Sequence, residues 1–448
     1  MRGLFLNLFS KLGVDGAIFY TSLARLVQSG GGILTLLLIS EFMSEEEQGF
    51  YYTFTSVLAI QIFFELGLGG VITQFIAHEM TFLKVQNDNL EGKEQYKSRI
   101  ASIVRFVLKW YGCFSLLLII TLITIGTYFF ENYSVNMEIE WRVPWFLVSI
   151  FAGVNLLLSP VTAILQGMNR IKEVAKIQTI QQVILLFAVW AGLIFGAKLY
   201  VTVMSSAFGA LLLIMFYYLF SYFRLFRNIF KVKVKQKVEY WQEIFPYQWR
   251  IALSWMSGYF IFQILNPIVF ASYGAIIAGK VGMSLSIMNA ILSFVLGWTS
   301  TKIPLWSSLI VKKEYTELDK SRQETIKKST FITIMLILMS TIVILGLQYF
   351  EYNLGDRLLP WYLCFVLFVS VLFSNIVNIW ATMLRCFKKE PFLVVSVVVA
   401  MFSVIELYIT AQFFNLSALI IGYFLVISMI SFPLGWYVFS LKRKEYYE

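Results

Sequence analysis

The sequence predicts an all-α polytopic membrane protein of about twelve transmembrane helices. Three observations carry that expectation. The 448 residues are 59% hydrophobic and only 14% charged, with a mean hydropathy of +0.74, whereas soluble domains hold roughly 25% charged residues. The apolar residues come in runs long enough to cross a bilayer. The basic residues gather in alternate loops between those runs.

A helix rises 1.5 Å per residue, so about 20 apolar residues cross a hydrocarbon core of about 30 Å. Runs of that kind occupy 17–39, 50–78, 103–130, 143–165, 174–196, 199–223, 245–271, 275–310, 329–350, 359–384, 391–413 and 416–441. Backbone amides in lipid must be bonded internally, which demands helices rather than open strands. The first seventeen residues, with Arg2 and Lys11 among Leu and Phe, read as an amphipathic lead-in without a cleavage pattern. The first helix is therefore expected to direct insertion.

Lysine and arginine are retained on the cytoplasmic side. With both termini cytoplasmic, the inner segments hold all of the 36 basic residues except six. Arg142, Lys198, Lys280 and Arg357 fall outside, and Arg25 and Lys302 fall within spans. The outer loops are short and lean acidic, with Glu45-Glu46-Glu47, Glu131, Glu138, Glu140, Glu351 and Asp356.

The three cysteines, Cys113, Cys364 and Cys386, form no close pair, and there is one histidine, so a disulfide framework or zinc spacing is excluded. No GxxxxGK[ST] loop exists to hold a nucleotide. No cofactor is expected. The net charge of +10 would suit nucleic acid, but the basic stretch Arg224 to Lys237 reads as a topology anchor touching anionic lipid headgroups. No nucleic-acid partner is expected.

The long basic loop near 224–244 divides the spans six and six, predicting two bundles over 1–230 and 231–448. Each half opens on a polar approach, Lys11-Leu12-Gly13-Val14-Asp15 and Glu243-Ile244-Phe245-Pro246-Tyr247. Each fourth span ends on a similar turn, Ile164-Leu165-Gln166-Gly167-Met168-Asn169-Arg170 and Met383-Leu384-Arg385-Cys386-Phe387-Lys388-Lys389. Transporters built from repeats place their substrate site between the halves.

Several stretches resemble the polysaccharide flippases of the multidrug/oligosaccharidyl-lipid/polysaccharide (MOP) exporter superfamily. They are Arg25, Glu45-Glu46-Glu47-Gln48-Gly49-Phe50-Tyr51, Phe64-Glu65-Leu66-Gly67-Leu68-Gly69 with Phe75-Ile76-Ala77, Leu165-Gln166-Gly167, and Pro304 followed by Glu314-Tyr315-Thr316-Glu317-Leu318. The likeness covers the whole chain in layout and is closer in the first half. The family usually carries Asp where Glu65 stands. The resemblance implies a MATE-like fold in a bacterial inner membrane and a single-chain transport unit. It also implies movement of undecaprenyl-pyrophosphate-linked oligosaccharide from the inner to the outer leaflet, driven by H+, Na+ or membrane potential. A cation-coupled multidrug exporter of the same superfamily is the alternative. A membrane-embedded sugar polymerase or glycosyltransferase is remote, because the outer loops are short and hold no histidine or DxD.

A charge inside a span is costly, by about 2.5–3.5 kcal/mol on insertion scales. Arg25 stands about eight residues into span one, roughly 12 Å deep. Its guanidinium suits phosphate, with a structural ion pair as the other reading. Lys302 lies at similar depth on span eight, and the two would form a receptor for an anionic headgroup; ordinary snorkelling is the plainer reading for Lys302. Glu65 differs in depth from Arg25 by about 7 Å and is the candidate coupling or gating carboxylate, or else half of a static pair. Glu406 is a second coupling candidate, or a locally paired group. His78 reads as a helix-end residue at the water interface. The neutral polar side chains Gln28, Gln61, Asn155, Gln263, Asn266, Asn289 and Asn378 are candidate sugar contacts, with interhelical hydrogen bonds as the alternative.

Overall fold

The computed structural model describes residues 30–86, 88–134, 138–220, 222–387 and 389–448. Arg25 and Gln28 lie outside these residues. Among those described, nine helices are long and apolar enough to cross a membrane, or up to ten if the helices flanking a bend at Leu66–Gly67 form one span. A shorter apolar helix, α1 (Gly30–Phe42), precedes them.

Local sequence explains the punctuation. Ser44 caps α2 (Glu45–Leu58) in a capping box, its hydroxyl accepting from the Glu47 N–H and the Glu47 carboxylate accepting from its own. The acidic run Glu45-Glu46-Glu47 is thus a helix first turn, where carboxylates meet the positive end of the helix dipole. After the short α3 (Ile62–Glu65), Leu66 and Gly67 both turn left-handed, at φ 51° and 62°. That geometry ends one helix and starts α4 (Leu68–Met80).

The stretch after α4 forms an antiparallel hairpin of β1 (Leu83–Gln86) and β2 (Asn89–Gly92). Gly92 closes it at φ 137°, where a Cβ would meet the Phe82 carbonyl at 2.7 Å. Helix α5 (Glu94–Tyr133) follows, with a π turn at Leu122–Gly126. A π turn displaces the regular ladder, and the buried Trp145 indole donates to the Leu122 carbonyl at 3.0 Å. Helices α6 (Arg142–Gly167), α7 (Ile171–Ile194), α8 (Tyr200–Leu219) and the short α9 (Tyr222–Lys231) complete the first half of the chain.

Beyond α9 come α10 (Phe245–Phe262), α11 (Leu265–Ser300) and α12 (Ile303–Val311). The run Gln248–Val311 is 64 residues long, roughly 96 Å of helix and far more than one crossing requires. It is interrupted at Gly274, where the backbone leaves helical geometry, between the runs 245–271 and 275–310 expected as two spans. Pro304 sits in the first turn of α12, where a missing N–H costs nothing. The chain ends with α13 (Tyr315–Tyr349), α14 (Asn353–Asp356), α15 (Trp361–Arg385), α16 (Leu393–Phe413), α17 (Leu416–Leu425) and α18 (Phe432–Tyr447).

The chain separates into two compact units. Of the described residues, one comprises Gly30–Gly31, Gln61–Tyr128 and Glu140–Ala252; the other comprises Gly32–Ile60, Phe129–Ile139 and Leu253–Glu448. The second unit is built on the seam between α2 and α11. A Cβ on Gly49 would meet the Ala275 carbonyl oxygen at 2.0 Å, and one on Gly282 would strike the Tyr52 side chain at 2.3 Å. Small residues let the backbones meet, as in membrane helix pairs generally. Phe50 and Phe270 pack edge-to-face beside it, 5.1 Å apart. Polar groups close the acidic-loop end of the seam: Gln48 Nε2 donates to the carbonyls of Gly279 and Arg357 (2.9 and 3.1 Å), and Arg357 Nη2 donates to that of Met43 (2.9 Å).

Candidate functional site

The polar side chains expected inside the spans divide by what they touch. In the first unit, Glu65 is half-buried and accepts from Gln61 Nε2 at 2.8 Å. One turn separates the two, and the Leu66–Gly67 break leaves Glu65 on the last helical residue of α3. Among the described residues no cation pairs with Glu65, and its hydrogen-bond donor is the neutral Gln61 amide.

Asn155 behaves otherwise. Its amide donates to the carbonyls of Phe151 and Ser206, both at 2.9 Å, while Gln181 of α7 donates to that of Gly209 at 2.8 Å. These bonds join α6 and α7 to α8, which is the interhelical role.

In the second unit, Lys302 occupies the N-cap position of α12 at its junction with α11, with no side-chain bond to the helix. It is half-buried, and among the described residues it has no carboxylate partner. Glu406 of α16 accepts from Thr410 Oγ1 at 3.1 Å through Oε1, while Oε2 is buried with no partner among the described residues. Gly422 of α17 makes room for it, since a Cβ there would lie 1.9 Å from Oε1. Asn266 is buried and donates to Thr53 Oγ1 at 3.1 Å, joining α11 to α2. Asn378 donates to the Ser374 carbonyl of its own helix. Gln263 and Asn289 are half-buried with no side-chain hydrogen bond among the described residues, and so keep their amides available.

One ionic cluster escaped the sequence reading. At the lysine-rich end of the first unit, Arg99 donates through Nε to Glu79 (2.8 Å) and through Nη2 to Glu243 (2.7 Å). Glu79 is almost wholly buried, its side chain 4% exposed. Burial alone would raise the Glu243 carboxyl, but the Arg99 guanidinium and the Glu239 N–H hold it below the ordinary carboxylate range. The pairing depends on the β1–β2 turn, which brings α4 back to α5. An acidic residue closing a span among lysines was the available signal. His78 beside it is largely exposed.

With this geometry in view, comparison with known proteins assigns the chain. Residues 16–310 match the family model described as polysaccharide biosynthesis protein. The chain belongs to that family. No curated protein matches it. Its fold is that of MOP-superfamily transporters. An inward-facing multidrug resistance MATE family transporter of the MOP superfamily aligns over 96% of this chain and 99% of its own at TM-score 0.72 and 16% identity. A MATE transporter from Vibrio cholerae aligns over 96% and 97% at TM-score 0.64 and 13% identity. A MOP superfamily transporter from Pyrococcus furiosus aligns over 97% of both chains at TM-score 0.58 and 12% identity. At such identities the likeness is one of fold.

Proposed function

We propose that this member of the polysaccharide biosynthesis family is a flippase. It carries a lipid-(pyro)phosphate-linked oligosaccharide from the cytoplasmic to the outer leaflet of a bacterial inner membrane, by alternating access, for surface polysaccharide assembly. One observation carries the reading: a chain of a polysaccharide-assembly family has the fold of a transporter along 96% of its length. A long polar glycan crosses a bilayer only through a protein-lined path, and a transporter fold can offer one while the lipid tail stays in hydrocarbon.

In this reading Arg25 and Lys302 hold the phosphate head, because guanidinium and ammonium groups form charge-assisted hydrogen bonds with phosphate oxygens. Glu65 and Glu406, each bonded only to neutral groups among the described residues, take up the coupling ion, H+ or Na+. The free amides of Gln263 and Asn289 are the sugar contacts this reading favours. Asn155, Asn266 and Asn378 already donate to helix neighbours.

Ligand selectivity tests the proposal against the drug-exporter alternative. The purified protein should gain thermal stability with undecaprenyl-pyrophosphate-linked sugar, and Lys302→Ala should weaken the effect. Stabilisation by lipophilic cations instead, with none from the sugar lipid, would refute the flippase reading.

A further inference from the structure

Between the β-hairpin, α9 and the first turn of α5 lies a cavity of about 300 Å³ that the transport reading does not use. Its charged lining is Lys97, Lys233 and Lys235 against a single Glu94, with Asn89 and Asn228 supplying amides. Lys97 pairs with Glu94 at 2.9 Å, which leaves two lysines in excess. We infer that this cavity, with the outer face of α9, is a binding site for the phosphate headgroup of an anionic phospholipid.

The backbone holds the lysines in place. Ser98 Oγ accepts from the N–H groups of Lys235 and Gln236, both at 2.8 Å, and donates to the Gln236 carbonyl. Arg105 Nη2 donates to the carbonyls of Phe230 and Val232, at 2.5 and 2.8 Å. Asn228 Nδ2 donates to the Asp88 carbonyl at 2.9 Å. Two elements, α5 and the β1–β2 turn, therefore fix the backbone of the segment that carries Lys233 and Lys235, so little backbone ordering remains to be done on binding.

Helix α9 identifies the ligand as a lipid. Tyr222, Leu225 and Ile229 form its buried face, and the Tyr222 hydroxyl donates to Glu173 of α7. The opposite face is exposed and mixes two chemistries, with Phe223 52% and Phe230 43% exposed beside Arg224, Arg227 and Lys231. Aromatic rings among cations on one helix face suit a membrane interface, where the rings enter the headgroup boundary and the cations meet anionic lipid. A soluble phosphate would have no use for exposed phenylalanines. The inference stands apart from the identity of the transported substrate.

The test uses full-length protein, delipidated in detergent, and follows thermal stability while phosphatidylglycerol is added. Stabilisation should saturate with phosphatidylglycerol and not with phosphatidylcholine. A surface lysine is worth roughly fivefold in affinity for anionic lipid, so Lys97→Gln/Lys233→Gln/Lys235→Gln should weaken it on the order of a hundredfold. Lys235→Glu alone, at an exposed position, should weaken it at least fivefold and serves if the triple variant folds poorly. Equal stabilisation by phosphatidylcholine, or an unchanged affinity in the variants, would overturn the inference. So would an equal effect from inorganic phosphate, which would reassign the cavity to a soluble anion.

Discussion

Substitution of Gly49 by alanine tests how the seam between α2 and α11 is held. The new Cβ would lie 2.0 Å from the Ala275 carbonyl oxygen, 2.6 Å from its carbon and 2.9 Å from its Cα. All three are backbone atoms, so no rotamer change relieves the clash. Ordinary contact begins at 3.4 Å, and the helices must part by about 1.4 Å. Overpacking of this kind costs about 1–3 kcal/mol, a factor of roughly 5 to 150 in an equilibrium between joined and parted states. Separation also pulls Gln48 from the Gly279 carbonyl. Thermal unfolding in detergent should show a Tm lowered by a few degrees. Spin labels at Glu46 and Ile276 should report a longer and broader distance distribution. Gly346→Ala is the control, because nothing lies within 4 Å of its Cβ position, and it should leave the distances unchanged. Wild-type Tm and label distances in Gly49→Ala would refute this account of the seam.

Other outcomes follow from the ionic groups. Arg99→Ala leaves Glu79 buried without its partner and should destabilise by about 3–5 kcal/mol, whereas Glu243→Gln, at a more exposed site, should cost far less; thermal unfolding of both compares them. The Glu243 carboxyl titrates below its unfolded value, so its stabilisation is complete above about pH 4.3 and disappears as pH falls through the folded value. The acid limb of a Tm–pH profile should therefore be shallower in Glu243→Gln. Glu406→Gln should fold normally, since a neutral amide fits where Oε1 already accepts from Thr410 and Oε2 meets no cation among the described residues. If Glu406 takes up the coupling ion, the same variant should lose the dependence of transport on that ion gradient. Lys302→Ala should reduce affinity for the phosphate-bearing substrate roughly 10- to 150-fold, the worth of a charged hydrogen bond, and Lys302→Arg should restore part of it in the same titration.

Much of the fold was legible because lipid imposes a simple rule on composition. Apolar runs of bilayer length and basic residues confined to alternate loops led directly to helices crossing a membrane, and the structure supplies such helices. Glu65-Leu66-Gly67 was legible as a special site, though its left-handed break was not, since only Gly67 advertises positive φ in sequence. Helix partnership was beyond reach. Nothing in the hydropathy of 32–60 signals packing against α11; the signal is steric, in Gly49, Gly279 and Gly282, and shows only when the helices are aligned. Asn155 and Asn266 show the same limit at the candidate site. A buried amide reads alike in sequence whether it awaits a sugar or bonds a neighbouring helix, and here both bond helices. Arg99, Glu79 and Glu243 meet because a hairpin and a linker fold back on α5, a tertiary event without local periodicity.

Transbilayer movement in reconstituted vesicles tests the central claim most directly. A fluorescent undecaprenyl-pyrophosphate-linked oligosaccharide is placed in one leaflet, and its arrival in the other is followed by a membrane-impermeant quencher. Vesicles with the native chain should show rapid exchange, and those with Arg25→Ala/Lys302→Ala should approach protein-free vesicles. Exchange no faster with the native chain than without protein, in vesicles where the chain is folded and an ion gradient is applied, would contradict the account.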